Sequence, residues 1–357
     1  MPRTPLYAIH EKLGARFGEY EGWVMPTHYG SPVEEACAVR QGCGIIDLSH
    51  RGKLVMRGRD AGRFLQGMVT NDVLRLEPFR SVYAAILTPK GRMVSDLTIY
   101  RHPDYFLLDV EPGMGSRLID YLLKYRLSYK AEIEDQTEVF ALISLAGVGA
   151  DNVAQAVFEG VCLPAAGAFT EARLGDTGVL IAGVSRTGAA GFDIYAPSTC
   201  AEVLWEALIE AGGDYGIKPF GMEAMELLRI EAAIPRFGVD MGEDTIPLEA
   251  GIDHAISYEK GCYVGQEVIA RIHWRGHVNR KLVGFELHST KIPRAGARIK
   301  DGERDVGYIT SSVFSPRKGR VIALGYIRRE LLEPGTRVAV EADGEMVPAE
   351  VAKTPFV

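Results

Sequence analysis

Residues 90–102 read KGRMVSDLTIYRH, and the placement of this stretch decides the fold. Its alternation makes it a strand, with Met93, Ser95, Leu97 and Ile99 on one face and Val94, Asp96, Thr98 and Tyr100 on the other. Just upstream, SVYAAILTP (residues 81–89) has the β-branched and aromatic content of a second strand. Lys90-Gly91 supplies a turn between them, so the pair reads as a hairpin. Around it lie KLVMRG (53–58, strand), RDAGRFLQGMV (59–69, short helix), YFLLDV (105–110, strand) and GSRLIDYLLKYRL (115–127, helix with an i, i+3, i+4 apolar stripe). Strand, helix, hairpin, strand and helix over residues 52–137 predict an α+β unit of ferredoxin-like type: a small antiparallel sheet with helices on one face.

The same type of pattern recurs over residues 138–240. VFALISLAG (139–147), GVLIAGVSRTG (178–188) and GFDIYAP (191–197) read as strands; GADNVAQAVFEG (149–160), CAEVLWEALIEAG (200–212) and PFGMEAMELLRIEAA (219–233) read as helices. Toward the N-terminus, PLYAIHEKLGARF (5–17) reads as a helix, EGWVMPTHYGSP (21–32) as a loop and SPVEEACAVRQGCG (31–44) as a helix. In that last helix Ser31 is placed to cap, Pro32 to open, and Gly42 or Gly44 to close. From residue 282 on, short strands separated by glycine-rich turns predict a small barrel or sandwich (LVGFEL, DVGYITSSVF, VIALGYI, TRVAVEA).

At 357 residues the chain is long enough for two or three cores. With 47% hydrophobic and 24% charged residues it has the composition of a soluble globular protein. No apolar run approaches the roughly 18 residues of a membrane helix, and the N-terminus lacks the apolar core of a secretory signal. A net charge of −7 argues against general nucleic-acid affinity. The five cysteines (Cys37, Cys43, Cys162, Cys200, Cys262) are odd in number and contain no CxxC pair, so neither a disulfide framework nor a metal site is signalled. A reducing, cytoplasmic setting is expected.

Several residues stand out from their surroundings. Asp96 is an acid in the middle of a strand, where Asp is disfavoured; it faces either a cleft or solvent, and the pattern leaves both open. Arg229 and Glu231 stand at the end of a helix broken by Ala233-Ile234-Pro235, and spacing alone makes them surface charges. Asp193 follows the loop SRTGAAGF, which is no phosphate loop. Cys262 lies in EKGCYVGQE beside Lys260 and ahead of a helix starting near Val264–Gln266, a setting that lowers a thiol pKa, although spacing alone favours a turn cysteine whose glycines matter more than its sulfur. RIHWRGHVNRK (271–281) is a basic run with one aromatic.

Beyond these local readings, the chain resembles the glycine-cleavage T-protein (aminomethyltransferase) family along nearly its whole length. The likeness runs through residues 4–58, TNDV (70–73), GRMVSDLTIY (91–100), SRTG (185–188), GFDIY (191–195), RIEAAIPRFGVDM (229–241), PLEAGI (247–252) and the late VGYITSSVFSP and ALGYI. KGCYVGQE (260–267) instead resembles the signature of the YgfZ-type folate-binding proteins, relatives linked to iron–sulfur enzyme maintenance and tRNA modification. The resemblance implies a three-domain cloverleaf: residues 1–51 with 138–240 as one discontinuous α+β domain, 52–137 as a second, 241–281 as a linking segment and 282–357 as a C-terminal β-barrel.

The resemblance also implies a tetrahydrofolate site. Asp96 matches the essential carboxylate and Arg229 a folate-site arginine, Tyr83 and Tyr100 match tyrosines around the pterin pocket, and Asp193 stands where the family has Glu. Cys262 holds the signature position. Departures are the shortened SRTGAAGF loop, Arg51 after Ser49-His50, and Ser95 before Asp96. The leading expectation is a monomeric tetrahydrofolate-binding protein of the YgfZ type that supports iron–sulfur enzymes or tRNA modification through Cys262. The alternative is a true aminomethyltransferase acting on a lipoyl carrier protein, and a third reading is a folate-dependent demethylase.

Overall fold

The hairpin at the centre of the sequence reading forms as expected. Arg80–Leu87 and Met93–Arg101 pair antiparallel in the computed structural model, which describes all 357 residues, Met1–Val357. Gly91 sits at φ +73 in the turn, and a Cβ there would meet Val268 at 2.7 Å, so the turn is pressed against the later helix Gln266–Arg275. One detail departs from strict alternation. Ile86 pairs with Ser95 but Leu87 with Met93, leaving Val94 as a bulge. Val94 therefore joins Leu97 and Ile99 in the core below, while Met93 packs on the opposite side. Asp96, Thr98 and Tyr100 keep the face predicted for them and line an open cavity.

Phe106–Val110, Gly52–Arg57 and Glu132–Asp135 extend the hairpin into a five-stranded antiparallel sheet. The helices Ala61–Met68 and Gly115–Arg126 cover one face, burying Phe64, Leu65, Leu118 and Leu122 against Leu54, Ile86 and Leu108.

A six-stranded sheet runs in the order Phe169–Leu174, Thr177–Val184, Gly191–Pro197, Phe140–Ala146, Cys43–Asp47, Ile217–Pro219. Its fifth strand precedes residue 52 and the others follow 138, so the chain leaves this sheet, builds the five-stranded one and returns. All pairs are antiparallel except the last, Ile217–Pro219 with Cys43–Asp47. Helices Ala150–Val157 and Ala201–Ala211 close one face around the fully buried Trp205. Pro32–Gln41 and Met222–Glu231 pack on the other, together with Val55, Tyr100 and Leu107 of the five-stranded sheet. Pro32–Gln41 starts as its sequence specifies, with the Ser31 hydroxyl accepting from Glu34 N and Pro32 in the first turn.

The C-terminal strands Arg280–Leu287, Arg320–Arg328, Arg304–Ser315, Arg298–Asp301, Arg337–Ala342 and Glu345–Ala352 form a closed barrel rather than a sandwich. Ile230 at the end of Met222–Glu231 packs with Ile322, Leu324 and Phe356, which fixes the barrel to the helix.

The N-terminal reading needs correction. The first helix stops at Lys12, and residues 21–32, read as a loop, contain the strand Trp23–His28 paired with Arg16–Tyr20. The connection is the two-residue turn Glu21-Gly22, both at positive φ (50 and 81). That is the turn that matches strand twist, and Pro26 is tolerated because this two-stranded sheet has only edges.

Candidate functional site

Between the two sheets, the end of helix Met222–Glu231 and the first barrel strand lies a cavity of about 810 Å³. The five-stranded sheet contributes Tyr83, Asp96 and Tyr100, and the loop after Val184 contributes Arg186. The helix and its broken end add Met225, Arg229, Pro235 and Arg236; the barrel adds Lys281 and Leu282. Ala233, at φ 55, turns the chain sharply at the helix end to make the lip between helix and barrel.

Asp96 is 9% exposed, which excludes the solvent-facing reading. The Tyr83 hydroxyl donates to its Oδ2 at 2.6 Å, while its Oδ1 has no partner. Burial, reinforced by the charge of Glu111, pushes the Asp96 carboxyl up to about 6. The Tyr83 ring is stacked on His254 with centroids 5.3 Å apart. Asp96 is therefore a carboxylate at neutral pH with one oxygen hydrogen-bonded and the other enclosed without a partner.

Beneath it lies a charge network that the sequence reading did not foresee. Asp109, fully buried in Phe106–Val110, accepts from Arg51 Nε at 2.7 Å and also from Arg186 Nη2. Arg51 pairs as well with Glu111, and Tyr195 donates its hydroxyl to Asp109 at 3.3 Å. Burial alone would raise Asp109, but the two guanidiniums hold it below the usual carboxylate range. The signal was available: YFLLDV is an apolar strand interrupted by one acid, the same anomaly that singled out Asp96.

Asp193 is drawn into this network and does not line the cavity. Its Oδ2 accepts from Arg186 Nε at 2.8 Å and Nη2 at 2.5 Å, so Arg186 stands between it and the cavity, and its Oδ1 is unpaired. The glycine-rich loop earns its glycine for a structural reason: Gly188 is at φ +82, and a Cβ there would lie 2.6 Å from the Cβ of Ala232. Tyr100 is buried in the cavity wall, with the Tyr195 hydroxyl 3.5 Å from its own.

Arg229 borders the cavity, yet all five of its N–H groups are committed. Nε and Nη2 donate to Glu226, Nη1 to Asp240 Oδ2 at 2.6 Å and to the Ile234 carbonyl at 3.2 Å, and Nη2 also to Ser311 Oγ at 2.7 Å. It joins the helix to the following turn and to the barrel. The surface reading fails because the barrel covers it. Glu231 is buried away from the cavity, held by Arg40 and by the Ser315 hydroxyl at 2.5 Å.

Cys262 is exposed and lies outside the cavity lining. The helix starts at Gln266, four residues on. Lys260 does not serve the thiol: its Nζ donates to the carbonyls of Gln66, Val69 and Asn71 at 2.8, 2.6 and 2.7 Å. The motif's lysine thus fastens the 241–281 segment to the end of helix Ala61–Met68. Of the basic run, His273 stacks on Tyr258 at 3.7 Å, Arg280 lies over Tyr326, and Trp274 projects into solvent.

The sequence model of the GCVT N-terminal domain matches residues 6–260, and that of the glycine cleavage T-protein C-terminal barrel domain matches residues 280–357. An aminomethyltransferase of Caldanaerobacter subterraneus is 33% identical over 343 residues, covering 95% of this chain and 91% of the relative. One from Symbiobacterium thermophilum is 36% identical over 365 residues, covering 100% and 97%. The crystal structure of glycine cleavage system aminomethyltransferase T from Bartonella henselae superposes with a TM-score of 0.91 at 29% identity, covering 100% of this chain and 98% of that one.

Proposed function

The chain belongs to the glycine-cleavage T-protein family, and from that premise we propose that it is a tetrahydrofolate-dependent aminomethyltransferase acting on a lipoyl carrier protein. The observation that carries this reading is Asp96: a buried carboxylate in the lining of an 810 Å³ cavity, oriented by Tyr83 and with one enclosed oxygen that has no partner. The cavity fits a pteridine. Its lining combines the Asp96 carboxylate with the aromatic Tyr83 and Tyr100 and the apolar Met225 and Leu282.

Bound tetrahydrofolate would supply the nucleophilic nitrogens that take the methylene carbon from the lipoyl-borne aminomethyl group, whose amine leaves as ammonia and whose sulfur leaves as the free thiol. The Asp96 carboxylate would accept a hydrogen bond from such a nitrogen and place negative charge where positive charge develops. Tyr83 fixes the carboxylate in place, so little reorganisation is needed at the moment of reaction. Asp193 acts through Arg186, which it orients at the cavity edge, and Arg229 holds together the helix end that forms the lip.

The YgfZ-type reading put first by KGCYVGQE has less support than its alternative. The relatives carry the name aminomethyltransferase, Cys262 lies apart from the cavity and Lys260 is tied to backbone carbonyls. What still favours it is the exposure of the Cys262 thiol. A glycine-cleavage assay with a lipoylated carrier separates the two. Turnover in the wild type and its loss in Asp96→Asn are expected. Absence of turnover in a protein that still binds tetrahydrofolate would favour the accessory role.

A further inference from the structure

Four arginines line the cavity, and three are neutralised by carboxylates within hydrogen-bonding distance: Arg51 by Asp109 and Glu111, Arg186 by Asp109 and Asp193, Arg229 by Glu226 and Asp240. Arg236 differs. Its Nε and Nη1 are enclosed with no acceptor, and the nearest carboxylate, on the half-exposed Glu21, is 3.7 Å from Nη1, beyond hydrogen-bonding reach. The guanidinium makes no side-chain hydrogen bond from these atoms; it is held by the 3.7 Å ion pair with Glu21 and by the Tyr20 ring 4.9 Å away, while the Arg236 backbone N–H is anchored to Asp240 Oδ2 at 3.0 Å. Enclosing a charged donor group without acceptors is costly unless something else satisfies it.

We infer that Arg236 is the carboxylate-binding residue of the cavity, an assignment that rests on the folate-transferase reading of the same site. The planar fork of a guanidinium matches a carboxylate in a two-point contact. Stacking on Tyr20 leaves the fork free to turn toward a ligand, which hydrogen bonds to protein carboxylates would not. Lys281, on the barrel side of the same cavity, adds positive potential. Two ligands bring a carboxylate: the glutamate tail of tetrahydrofolate under the transferase reading, or, under the demethylase reading of the sequence, an N-methylated amino acid that gives up its methyl; the lipoyl-borne aminomethyl group has none.

The test is calorimetric binding to wild type, Arg236→Leu and Arg236→Lys, with melting temperatures recorded to confirm folding. The probes are tetrahydrofolate, 6-methyltetrahydropterin (which lacks the tail) and N-methylglycine added to the protein saturated with that pterin. Loss of one or two charge-assisted hydrogen bonds corresponds to roughly a 10- to 100-fold weaker affinity. If Arg236→Leu loses this much for tetrahydrofolate and nothing for 6-methyltetrahydropterin, the carboxylate is the folate tail. If only N-methylglycine binding is lost, the carboxylate belongs to the donor. Arg236→Lys keeps the charge without the fork and should fall between the other two. Equal affinities across the variants for all three probes, or equal losses that include the tailless pterin, would overturn the assignment. Failure of wild type to bind either pterin would strike the folate reading instead, leaving Arg236 to be judged on N-methylglycine binding without pterin.

Discussion

Tyr83 donates its hydroxyl to one oxygen of Asp96 at 2.6 Å, and the other oxygen of that carboxylate has no partner. The hydrogen bond favours the ionised form and so opposes the burial that raises Asp96 to about 6. Tyr83→Phe keeps the ring on His254 but removes the donor. The Asp96 carboxyl should then titrate above 6, and the acidic limb of the pH–rate profile should move to higher pH. Turnover would drop most between pH 6 and 7 and recover at high pH. An unmoved acidic limb would mean that Asp96 does not control it.

Asp96 also affects stability, in a direction that follows from the sign of its shift. Its folded value of about 6 lies above its ordinary value of 3.8, so the native state binds the proton more tightly than the unfolded state does. Any stabilisation from this group is present below about pH 4, is lost as pH rises through about 6, and is replaced by the cost of a buried charge. That cost is on the order of 1–3 kcal/mol. Asp96→Asn should therefore abolish transfer while melting at least as high as wild type at pH 8, with the advantage shrinking toward pH 5. Paired thermal melts at the two pH values check this.

What could be read from the sequence divides along physical lines. Patterns set by neighbours in the chain were legible: the 81–101 hairpin, the Ser31 cap and the succession of strands after 282. Asp96 was legible because an acid interrupts a strand. Arg229 and Asp193 were located, but their surroundings were not, because their partners Asp240, Ser311 and Arg186 come from turns and strands whose approach is set only by packing. The Trp23–His28 strand was hidden by Pro26 and by a turn whose first residue is Glu rather than the usual Asn, Asp or Gly.

Arg229 shows why that distinction matters for mutagenesis. Its five donated hydrogen bonds serve helix, turn and barrel together, and Asp240 behind it is buried. Removing one member of a buried ion pair costs about 3–5 kcal/mol, since the remaining charge keeps its desolvation penalty. Arg229→Met should lose stability of this size in denaturant titrations, and Arg229→Lys should recover only part of it. A variant that binds ligand poorly at full stability would instead make Arg229 a direct ligand contact.

The cysteines give the last prediction. Thiol reactivity needs both access and thiolate. Cys43 has neither, being buried in the six-stranded sheet with its thiol pushed up to about 12 by that burial. Cys37 and Cys200 are half-buried, whereas Cys162 and Cys262 are exposed. Titration of the native protein with a disulfide reagent at neutral pH should show two fast thiols, identified by mass spectrometry as Cys162 and Cys262, with Cys43 reacting only on unfolding. Because Cys262 is outside the cavity lining and Lys260 is bound to three carbonyls, Cys262→Ser should leave tetrahydrofolate binding and aminomethyl transfer unchanged. Lys260→Met, by contrast, should loosen residues 66–71, seen as faster amide exchange there. If Cys262→Ser abolished transfer, the sulfur would have to reach the reaction, and the transferase reading built on Asp96 alone would be incomplete.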